Sequence, residues 1–381
     1  MRWVAWISLG WLGVTVMPCA AGTFTVINTN DTGAGSLRAA ITSANATPGG
    51  TNLIQFNIPP LDGTVKTISP PNFAGSGGLP TITFPVIIDG YTQDPTHSHP
   101  NTLTNGDDAV LLIEISGAAS GGGINPSLQF GAGSGGSTLR GLIIDNGFTS
   151  GPLFTSRSNT VEGCFLGVDP TGRISRGTGS GVAIQSGDAS FSRIGGATPA
   201  ARNIIAGNDT GIVIYDGTNC VVEGNFIGLD VTGTNALPNN TGLDVRSRGN
   251  LIGGTNAAAG NIIAGDNSTA AGIAVFSATG NFIQGNFIGT DVTGAKRLAF
   301  GNTIRLFGAT ATQVGGLTPS PGGSPRESRR SCRPACSCSC RNARYAWRCG
   351  WRSRRASVSR PPASCGCVAG SFCCGLERLA S

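Results

Sequence analysis

The chain is poor in several residue types. Its 381 residues include only 2 Met, 3 Tyr and 2 His, and charged residues make up 12% of it. Glycine, by contrast, contributes 60 residues, so turns recur often. This composition argues against a helical enzyme and favours a repeat architecture, which can use the whole length as one continuous solenoid.

Long apolar runs are also scarce. After the first 21 residues no stretch approaches the ~20 apolar residues that a membrane span requires. The many Gly-x-Gly groups precede no helical pattern, so they are turns rather than nucleotide-binding loops. The sequence therefore predicts neither a transmembrane segment nor a nucleotide cofactor.

The first residues have the pattern of an export signal. Arg2 supplies the positive charge, residues 3–17 are mostly apolar, and small residues end the segment at Ala21. We predict a signal peptide over 1–21 and a soluble product at the cell surface or outside the cell. The alternative is a lipoprotein anchor at Cys19, although Pro18 stands where such signals have a small residue.

The last sixty residues differ in composition from the rest. From residue 322 onward there are twelve Arg and two Glu, whereas residues 1–321 hold fourteen basic and eighteen acidic residues. Nine of the twelve cysteines also lie after residue 330. The repeat pattern described below breaks after Pro319. We therefore interpret 320–381 as a disordered tail translated out of frame.

Two other interpretations of the tail stay open. A metal or disulfide module is suggested by its first four cysteines, but these lack paired C-x-x-C spacing and a His. A basic nucleic-acid-binding or surface-binding tail is the second alternative. The four cysteines are Cys332, Cys336, Cys338 and Cys340. For the protein as a whole we predict no nucleic-acid partner.

An internal repeat dominates the middle of the chain. Val-Glu-Gly-Cys-Phe-Leu-Gly at 161–167 is followed by Val-Glu-Gly-Asn-Phe-Ile-Gly at 222–228 and Ile-Gln-Gly-Asn-Phe-Ile-Gly at 283–289, with offsets of 61 residues. Each copy continues to an Asp with Gly three positions later, the signature of a type I turn. The three aspartates are Asp169, Asp230 and Asp291.

A shorter unit, Gly-Asn-apolar-Ile-x-Gly, begins at Gly249, Gly260 and Gly280. Each unit predicts a short strand between turns, and such strands form a sandwich, a barrel or a coiled solenoid. The step of 20 residues from Gly260 to Gly280 suggests that one 61-residue period holds three coils of ~20 residues, near the turn length of a parallel β-helix.

Stacked coils give repeated residues a shared place. We expect an asparagine ladder at the bends, because the Asn side-chain amide can pair with the next coil. The predicted ladder residues are Asn203, Asn225, Asn261 and Asn286. Phe165, Phe226 and Phe287 are predicted to lie on one side of the core, three coils apart.

The N-terminal part predicts a cap. Apolar residues at Leu37, Ala40, Ile41 and Ala44 have helical spacing, and Ser36 is a suitable N-cap. A helix here would close the open end of the solenoid. The predicted organisation is cap and first strands over 22–105, followed by regular coils over 106–319.

The same residues resemble a known family. The segments Gly-Ala-Gly-Ser-Leu-Arg-Ala-Ala-Ile at 33–41, Ile-Ile-Asp-Gly-Tyr-Thr-Gln at 87–93 and Leu-Arg-Gly-Leu-Ile-Ile at 139–144, with the Gly-Asn-Phe-Ile-Gly repeats, are similar to bacterial secreted right-handed parallel β-helix repeat proteins whose cap contains Ser-Leu-Arg-x-Ala-Ile. The resemblance covers residues 23–319. It implies an all-β solenoid, export, and an association with polysaccharides or surface adhesion, but no single reaction.

No catalytic, cofactor or metal residue follows from the sequence. The repeated aspartates suggest a calcium column, but single carboxylates three coils apart would lie ~14 Å from each other, so we interpret them as turn residues. Asp107 and Asp108 suggest the acid pair of a glycoside hydrolase, but adjacent residues point to opposite faces of a strand, which favours a surface turn. His97 and His99 lie in a proline-bracketed loop that is interpreted as solvated.

Three functional hypotheses remain. The first is non-catalytic binding of a glycan or a partner along the flat sides of the solenoid. The second is a polysaccharide lyase or glycoside hydrolase acting in a side cleft, and the third is a truncated inactive product. An enzyme would require Asp107, Asp108, Arg140 and Arg157 to converge in a cleft. Arg246 and Arg248 are expected to form a solvated group with Asp244 on one strand face.

Overall fold

The computed structural model describes residues 21–71, 78–120, 125–265, 271–298 and 302–315. Within them the chain forms three parallel sheets, named A, B and C here, and from Val86–Asp89 onward successive strands pass from A to B to C and back to A. All pairings between named strands are parallel. This is a parallel β-helix, as the sequence predicted.

The strands are given in their order along each sheet. Sheet A contains Thr23–Val26, Asn52–Phe56, Val86–Asp89, Thr138–Arg140, Thr160–Glu162, Arg193–Gly195, Val221–Glu223, Leu251–Gly253, Phe282–Gln284 and Gln313–Val314. Sheet B contains Lys66–Ile68, Ile113–Ser116, Ile143–Asp145, Phe165–Leu166, Ile204–Ile205, Phe226–Ile227, Ile262–Ile263 and Phe287–Ile288. Sheet C contains Pro126–Phe130, Ser150–Phe154, Ser180–Ile184, Thr210–Ile214, Thr241–Val245, Ala271–Phe276 and Asn302–Phe307. Short 3₁₀ turns lie at Gly90–Thr92, Gly117–Ser120, Gly187–Ala189, Pro199–Ala201 and Ala257–Ala259.

One α-helix, Leu37–Asn45, lies next to the first two strands of sheet A. Ser36 is its N-cap, and the Ser36 side chain accepts a hydrogen bond from the backbone N–H of Ala39. The helix buries all four apolar positions that the sequence selected. Their burial confirms that this helix closes the core at the N-terminal end.

The inside of the solenoid is filled by aligned aliphatic side chains. Strand alternation turns every second residue inward, so Ile144, Leu166, Ile205, Ile227 and Ile263 form one buried column from sheet B. Equivalent columns from sheets A and C meet it to make one continuous core. These inward columns therefore consist mainly of Ile, Leu and Val.

The predicted coil length is wrong. In sheet B, Phe165 pairs with Ile204, Ile204 with Phe226, Phe226 with Ile262 and Ile262 with Phe287. One coil thus takes 39 residues from Phe165 to Ile204, and the next takes 22 from Ile204 to Phe226. The 61-residue period therefore holds two unequal coils rather than three equal ones.

The physical reason for the error is that one motif serves two bends. The Gly-Asn unit that begins at Gly260 lies between sheets A and B, whereas those at Gly249 and Gly280 lie between sheets C and A. Both bends need a tight turn followed by a short strand, so both use the same residues. The 20-residue step from Gly260 to Gly280 runs between two different bends of the solenoid, so it is not the length of a coil.

The asparagine ladder is confirmed at the bend from sheet A to sheet B. The N–H of Asn203 donates to Asn225 Oδ1, that of Asn225 to Asn261 Oδ1, and that of Asn261 to Asn286 Oδ1, over 3.0–3.3 Å. Asn225 Nδ2 also donates to the carbonyls of Ile194 and Glu223. Each buried amide therefore links neighbouring coils.

Two further ladders were not predicted. Asn250 and Asn281 form one at the bend from C to A, and Asn208 and Asn239 form one at the bend from B to C. All four side chains are buried. In the sequence each of these residues is an Asn before or after a Gly-rich turn. Which bend it occupies can be known only from the strand register.

Each of the two described cysteines stands next to an asparagine ladder. The N–H of Cys164 donates to Asn203 Oδ1, and that of Cys220 donates to Asn250 Oδ1, both over 2.9 Å. Both thiols are free and buried, and they lie at different bends. Burial raises the pKa of Cys164 to about 12 and that of Cys220 to about 11, so these thiols are structural.

Phe165, Phe226 and Phe287 do share one side, but that side is the outer face of sheet B, and they lie two coils apart. The inward positions belong to the neighbouring aliphatic residues, so alternation turns the rings outward. There they belong to, or adjoin, a second apolar cluster. Phe165 and Phe226 are buried, whereas Phe287 is 45% exposed.

Three hairpins, 168–176, 229–237 and 290–298, cover this second cluster. Each one closes through an antiparallel bridge and contains one of the repeated Asp-x-x-Gly turns. The Gly172 N–H donates to the Asp169 carbonyl over 2.8 Å, as in the predicted turn. The three aspartates are separated by two coils each, or ~10 Å, and not by the ~14 Å inferred from the sequence. The turn interpretation is confirmed.

The predicted signal peptide and the predicted out-of-frame tail lie outside the described residues, apart from Ala21 at the end of the signal peptide. The tail cysteines that suggested a metal or disulfide module lie there too. The boundary at 105–106 between the cap region and the regular coils stays a prediction.

Candidate functional site on the outer face of sheet C

The three outer faces of the solenoid differ in character. Sheet B is apolar and covered by the hairpins. The outer face of sheet A carries paired charges, among them Asp89 with Arg140 at 2.6 Å and Arg193 with Glu223. Sheet C has neither covering hairpins nor such an array of ion pairs in the part of the chain that the structure describes. Its outward residues Ala183, Val213 and Ala274 are buried, and the exposed part of this face lies at the C-terminal ends of its strands.

Planar side chains form a row along the end of sheet C. Continuation of the strand register places Tyr215 beside Arg246 and Arg246 beside Phe276, and Phe276 pairs with Phe307. These four residues are called the sheet C row. Tyr215 is 40% exposed, and the other three are exposed or partly exposed. Parallel strands space the side chains at ~4.8 Å, so the row spans ~14 Å.

The side chains of the sheet C row are stacked. The Arg246 guanidinium lies 4.5 Å from the Tyr215 ring centroid and 5.3 Å from that of Phe276. The rings of Phe276 and Phe307 are parallel, with centroids 5.0 Å apart. Cation–π and stacking contacts of this kind restrict the rotamers of each member. The row is therefore a preformed ridge.

Charged side chains adjoin the row. Arg246 forms an ion pair with Asp244 at 2.7 Å, which confirms that part of the predicted group, but Arg248 does not share the strand face as expected. Arg305 lies 4.7 Å from the Phe307 ring centroid. Arg248 lies beyond the end of the strand at Val245, in the bend toward sheet A. Arg246 was selected from the sequence, but its place between two aromatic rings was not.

A second candidate site is an acid pair on the outer face of sheet B. Glu114 and Asp145 come from adjacent strands, and both are buried. Burial, followed by the neighbouring Glu114 carboxyl, raises the pKa of Asp145 to about 7. Arg176 reaches both carboxyl groups from hairpin 168–176, at 3.2 Å and 3.5 Å. The sequence did not select this pair, because its members are 31 positions apart.

The acid pair is further enclosed by hydrogen bonds. Thr67 Oγ1 donates to Glu114 over 2.5 Å, and Asn146 Nδ2 donates to Asp145 over 3.0 Å. The Asp145 side chain has no exposed surface, and that of Glu114 is 6% exposed. A general acid must reach the atom that it protonates. The buried pair therefore binds hairpin 168–176 through Arg176, and it is not an exposed catalytic dyad.

The predicted surface turn at Asp107 and Asp108 is half right. Asp108 accepts hydrogen bonds from the N–H and Oγ1 of Thr102, both over 2.6 Å, in an open loop. Asp107 is buried, its Oδ2 has no hydrogen-bond partner, and burial raises its pKa to about 7. The reason is that loop 101–109 folds across the coils, where the Asp107 N–H donates to the Val231 carbonyl over 2.7 Å.

The four residues proposed for an enzyme cleft have separate environments. Asp107 lies near Arg202, which itself donates to the carbonyls of Leu103 and Thr104. Arg140 is paired with Asp89 on sheet A, and Arg157 lies over the ring of Phe191. No described hydrogen bond or ion pair joins any two of Asp107, Arg140 and Arg157.

The histidines belong to the loop before Pro100. His97 Nδ1 lies 2.7 Å from Asp94 Oδ2, and His99 Nδ1 lies 3.1 Å from the Pro100 carbonyl. Among the described residues, no group of three or more His, Cys, Asp or Glu side chains is placed to hold a metal ion. The Asp169 carboxylate serves its own hairpin. Although burial opposes it, backbone N–H donors at Ile174 and Arg173 lower the pKa of Asp169.

A shallow groove of about 540 Å³ follows the bend from sheet B to sheet C. It is lined by Gly147, Phe148, Thr149, Gly177, Thr178, Gly179, Gly207 and Asp209. Asp209 is the one ionisable residue in this lining. The groove thus lacks the convergent polar groups of a catalytic cleft.

In the described part of the chain no helix has the length and apolar character needed to cross a membrane. No family model matches the sequence, and no curated protein matches it. Among solved structures, the chain is similar to the A-module of the mannuronan C-5 epimerase AlgE6 from Azotobacter vinelandii. The identity is 15%, the match covers 77% of this chain and 75% of that one, and the TM-score is 0.45. A likeness at this level says nothing about a shared activity.

Proposed function

We propose that this protein is an exported, non-catalytic glycan-binding β-helix protein that holds a saccharide chain along the outer face of sheet C. The sheet C row carries the proposal. It offers stacked planar groups at regular spacing along ~14 Å, on a face that no hairpin covers in the described residues. Small-molecule sites are concave, whereas this ridge suits contacts repeated along an extended polymer.

The position of the ionisable groups supports binding without cleavage. Asp145, whose pKa is raised, and its neighbour Glu114 lie on sheet B, and both are buried. On sheet C, Asp244 is bound to Arg246 through Nε and Nη2. Both oxygens of the Asp244 carboxylate are therefore already engaged by the neighbouring guanidinium.

Export and membership of the bacterial secreted β-helix group belong to the same proposal. The apolar segment 3–17 supports export. The Ser-Leu-Arg-x-Ala-Ile segment at 36–41, which forms the start of the capping helix, supports the family. Sequencing the N-terminus of the product exported by a bacterial host tests the first part. We expect it to start at Gly22, and retention in the cytoplasm would contradict export.

Binding to immobilised polysaccharides tests the site. We expect Tyr215→Ala and Phe276→Ala to weaken binding roughly fivefold each, because each removes one aromatic contact of about 1 kcal/mol. Phe191→Ala is the matched control, since this ring is 52% exposed and lies under Arg157, but belongs to the bend beyond sheet C. It should bind like the wild type.

Three outcomes would refute the proposal. The first is that no polysaccharide in a panel of neutral and acidic polymers binds the full chain. The second is that Phe191→Ala weakens binding as much as Phe276→Ala does. The third is that the wild-type protein shortens the polymer that it binds, as measured by size-exclusion chromatography after prolonged incubation.

A further inference from the structure

The sheet C row exposes ring edges rather than ring faces. Arg246 lies over one face of Phe276, and Phe307 is stacked on its other side. The Tyr215 ring likewise has the Arg246 guanidinium over it. The outward surface therefore consists of aromatic C–H edges and guanidinium N–H groups. The edge of an aromatic ring carries partial positive charge, so this surface favours oxygen-rich, electron-rich groups.

The charges beside the row are not balanced at its C-terminal end. Arg246 is neutralised by Asp244. Arg305 lies in the same column as Asp244, two coils away with the buried Ala274 between them. Within the described residues Arg305 has no ion-pair or hydrogen-bond partner, and its only described side-chain interaction is with the Phe307 ring. Asp216 and Arg248, the other charged residues at this edge, are both exposed and opposite in sign.

We infer that the saccharide chain bound by the sheet C row is a polyanion and that Arg305 contacts its negative groups. This inference rests on the proposed function and adds the chemical class of the ligand. Arg305 is partly exposed and its only described side-chain contact is the Phe307 ring, so its N–H groups are available to a carboxylate or sulfate on the chain. An arginine offers planar donors that match such groups.

A nucleic acid is the other polyanion that binds aromatic and arginine side chains, and the geometry disfavours it. Single-stranded nucleic acids bind by stacking bases on free ring faces, and both faces of Phe276 are occupied.

The test uses the full chain and three probes at low ionic strength. These are a uronate polymer, the same polymer after reduction of its carboxyl groups, and single-stranded oligodeoxythymidine. We expect the acidic polymer to bind on the order of fivefold more tightly than its reduced form, and added salt should remove the difference. Arg305→Gln should abolish this preference and leave binding of the reduced polymer unchanged. Arg157→Gln, which alters an Arg–Phe pair outside the sheet C row, should leave both affinities as they are.

Each other outcome has a distinct meaning. Equal binding of the acidic and reduced polymers overturns the inference that the ligand is a polyanion and leaves the proposed function intact. Tighter binding of oligodeoxythymidine than of the acidic polymer also overturns it. Equal effects of Arg157→Gln and Arg305→Gln would remove Arg305 from the contact. Absence of binding to both saccharides overturns this inference, whereas the proposed function is refuted only if the whole panel of neutral and acidic polymers also fails to bind.

Discussion

The buried acid pair makes the stability of this protein depend on pH. The pKa of Asp145 rises from an ordinary 3.8 to about 7, because burial and then the Glu114 carboxyl favour its neutral form. In the unfolded chain both carboxyl groups ionise near their usual pH. Between about pH 4 and pH 7 the folded protein therefore holds a proton that the unfolded chain has released.

The sign follows from this difference in bound protons. A folded state that binds more protons loses stability as the pH rises, so this contribution falls from about pH 4 to pH 7 and then levels off. A difference of about three pKa units corresponds to about 4 kcal/mol over the whole window, as an upper value. The cause is that two carboxylates then face one guanidinium, that of Arg176.

Asp145→Asn isolates the effect. The amide cannot ionise and can donate to Glu114, so we expect the variant to be more stable than the wild type at pH 8 by about 1–4 kcal/mol. At pH 5 the two should differ little. Asp107, whose pKa is also raised to about 7, titrates in both proteins and cancels in the comparison.

The assay is denaturant unfolding of the full chain at both pH values. Midpoints are compared, because long repeat arrays can deviate from two-state behaviour. Hydrogen exchange of hairpin 168–176 locates the change, and we expect its protection, corrected for the base-catalysed rise of the intrinsic exchange rate with pH, to fall at pH 8 in the wild type alone. If both proteins lose the same stability between pH 5 and pH 8, the reasoning is wrong.

Three further predictions concern the core and its bends. Asn225→Ala removes donors to two buried carbonyls and breaks the ladder, so we expect a loss of roughly 2–4 kcal/mol in unfolding free energy, against little change for the exposed Asn240→Ala. Neither Cys164 nor Cys220 should react with Ellman's reagent, the aromatic disulfide DTNB, until the chain unfolds, and stoichiometric labelling of both in the native state would contradict their burial. Phe226→Ala should lower the unfolding free energy by about 3–5 kcal/mol, and Phe287→Ala by less than half of that, because the Phe287 ring is 45% exposed. Equal losses would show that hairpin 229–237 does not cover the outer cluster.

Residues that act through local periodicity were predictable. The helix over Leu37–Asn45, its Ser36 cap, the asparagine ladder and the Asp-x-x-Gly turns all followed from short-range patterns, and the structure confirms them. The 61-residue repeat of short strands then indicated the fold class, although the coil length inferred from it was wrong. These features depend on neighbours in sequence or on a strict repeat, so the chain itself displays them.

Features that depend on which bend a motif occupies were not predictable. The same Gly-Asn unit serves two bends, and this led to three coils per period where there are two. The sheet C row shows the same limit, since Tyr215, Arg246, Phe276 and Phe307 have no shared residue type and meet only through the register. Glu114 and Asp145 likewise come together only when their strands pair.

The unequal pair of coils also defines how such a molecule can grow. Because 61 residues return the chain to the same bend with the same hairpin, copying the corresponding stretch of gene would insert two coils without shifting any neighbour out of alignment. Each copy would lengthen the body by ~10 Å and add two strands to every sheet. The number of duplications would thus set the length of polymer that the protein can contact. Each duplication would reproduce the bends, the hairpins over sheet B and the stacked rows.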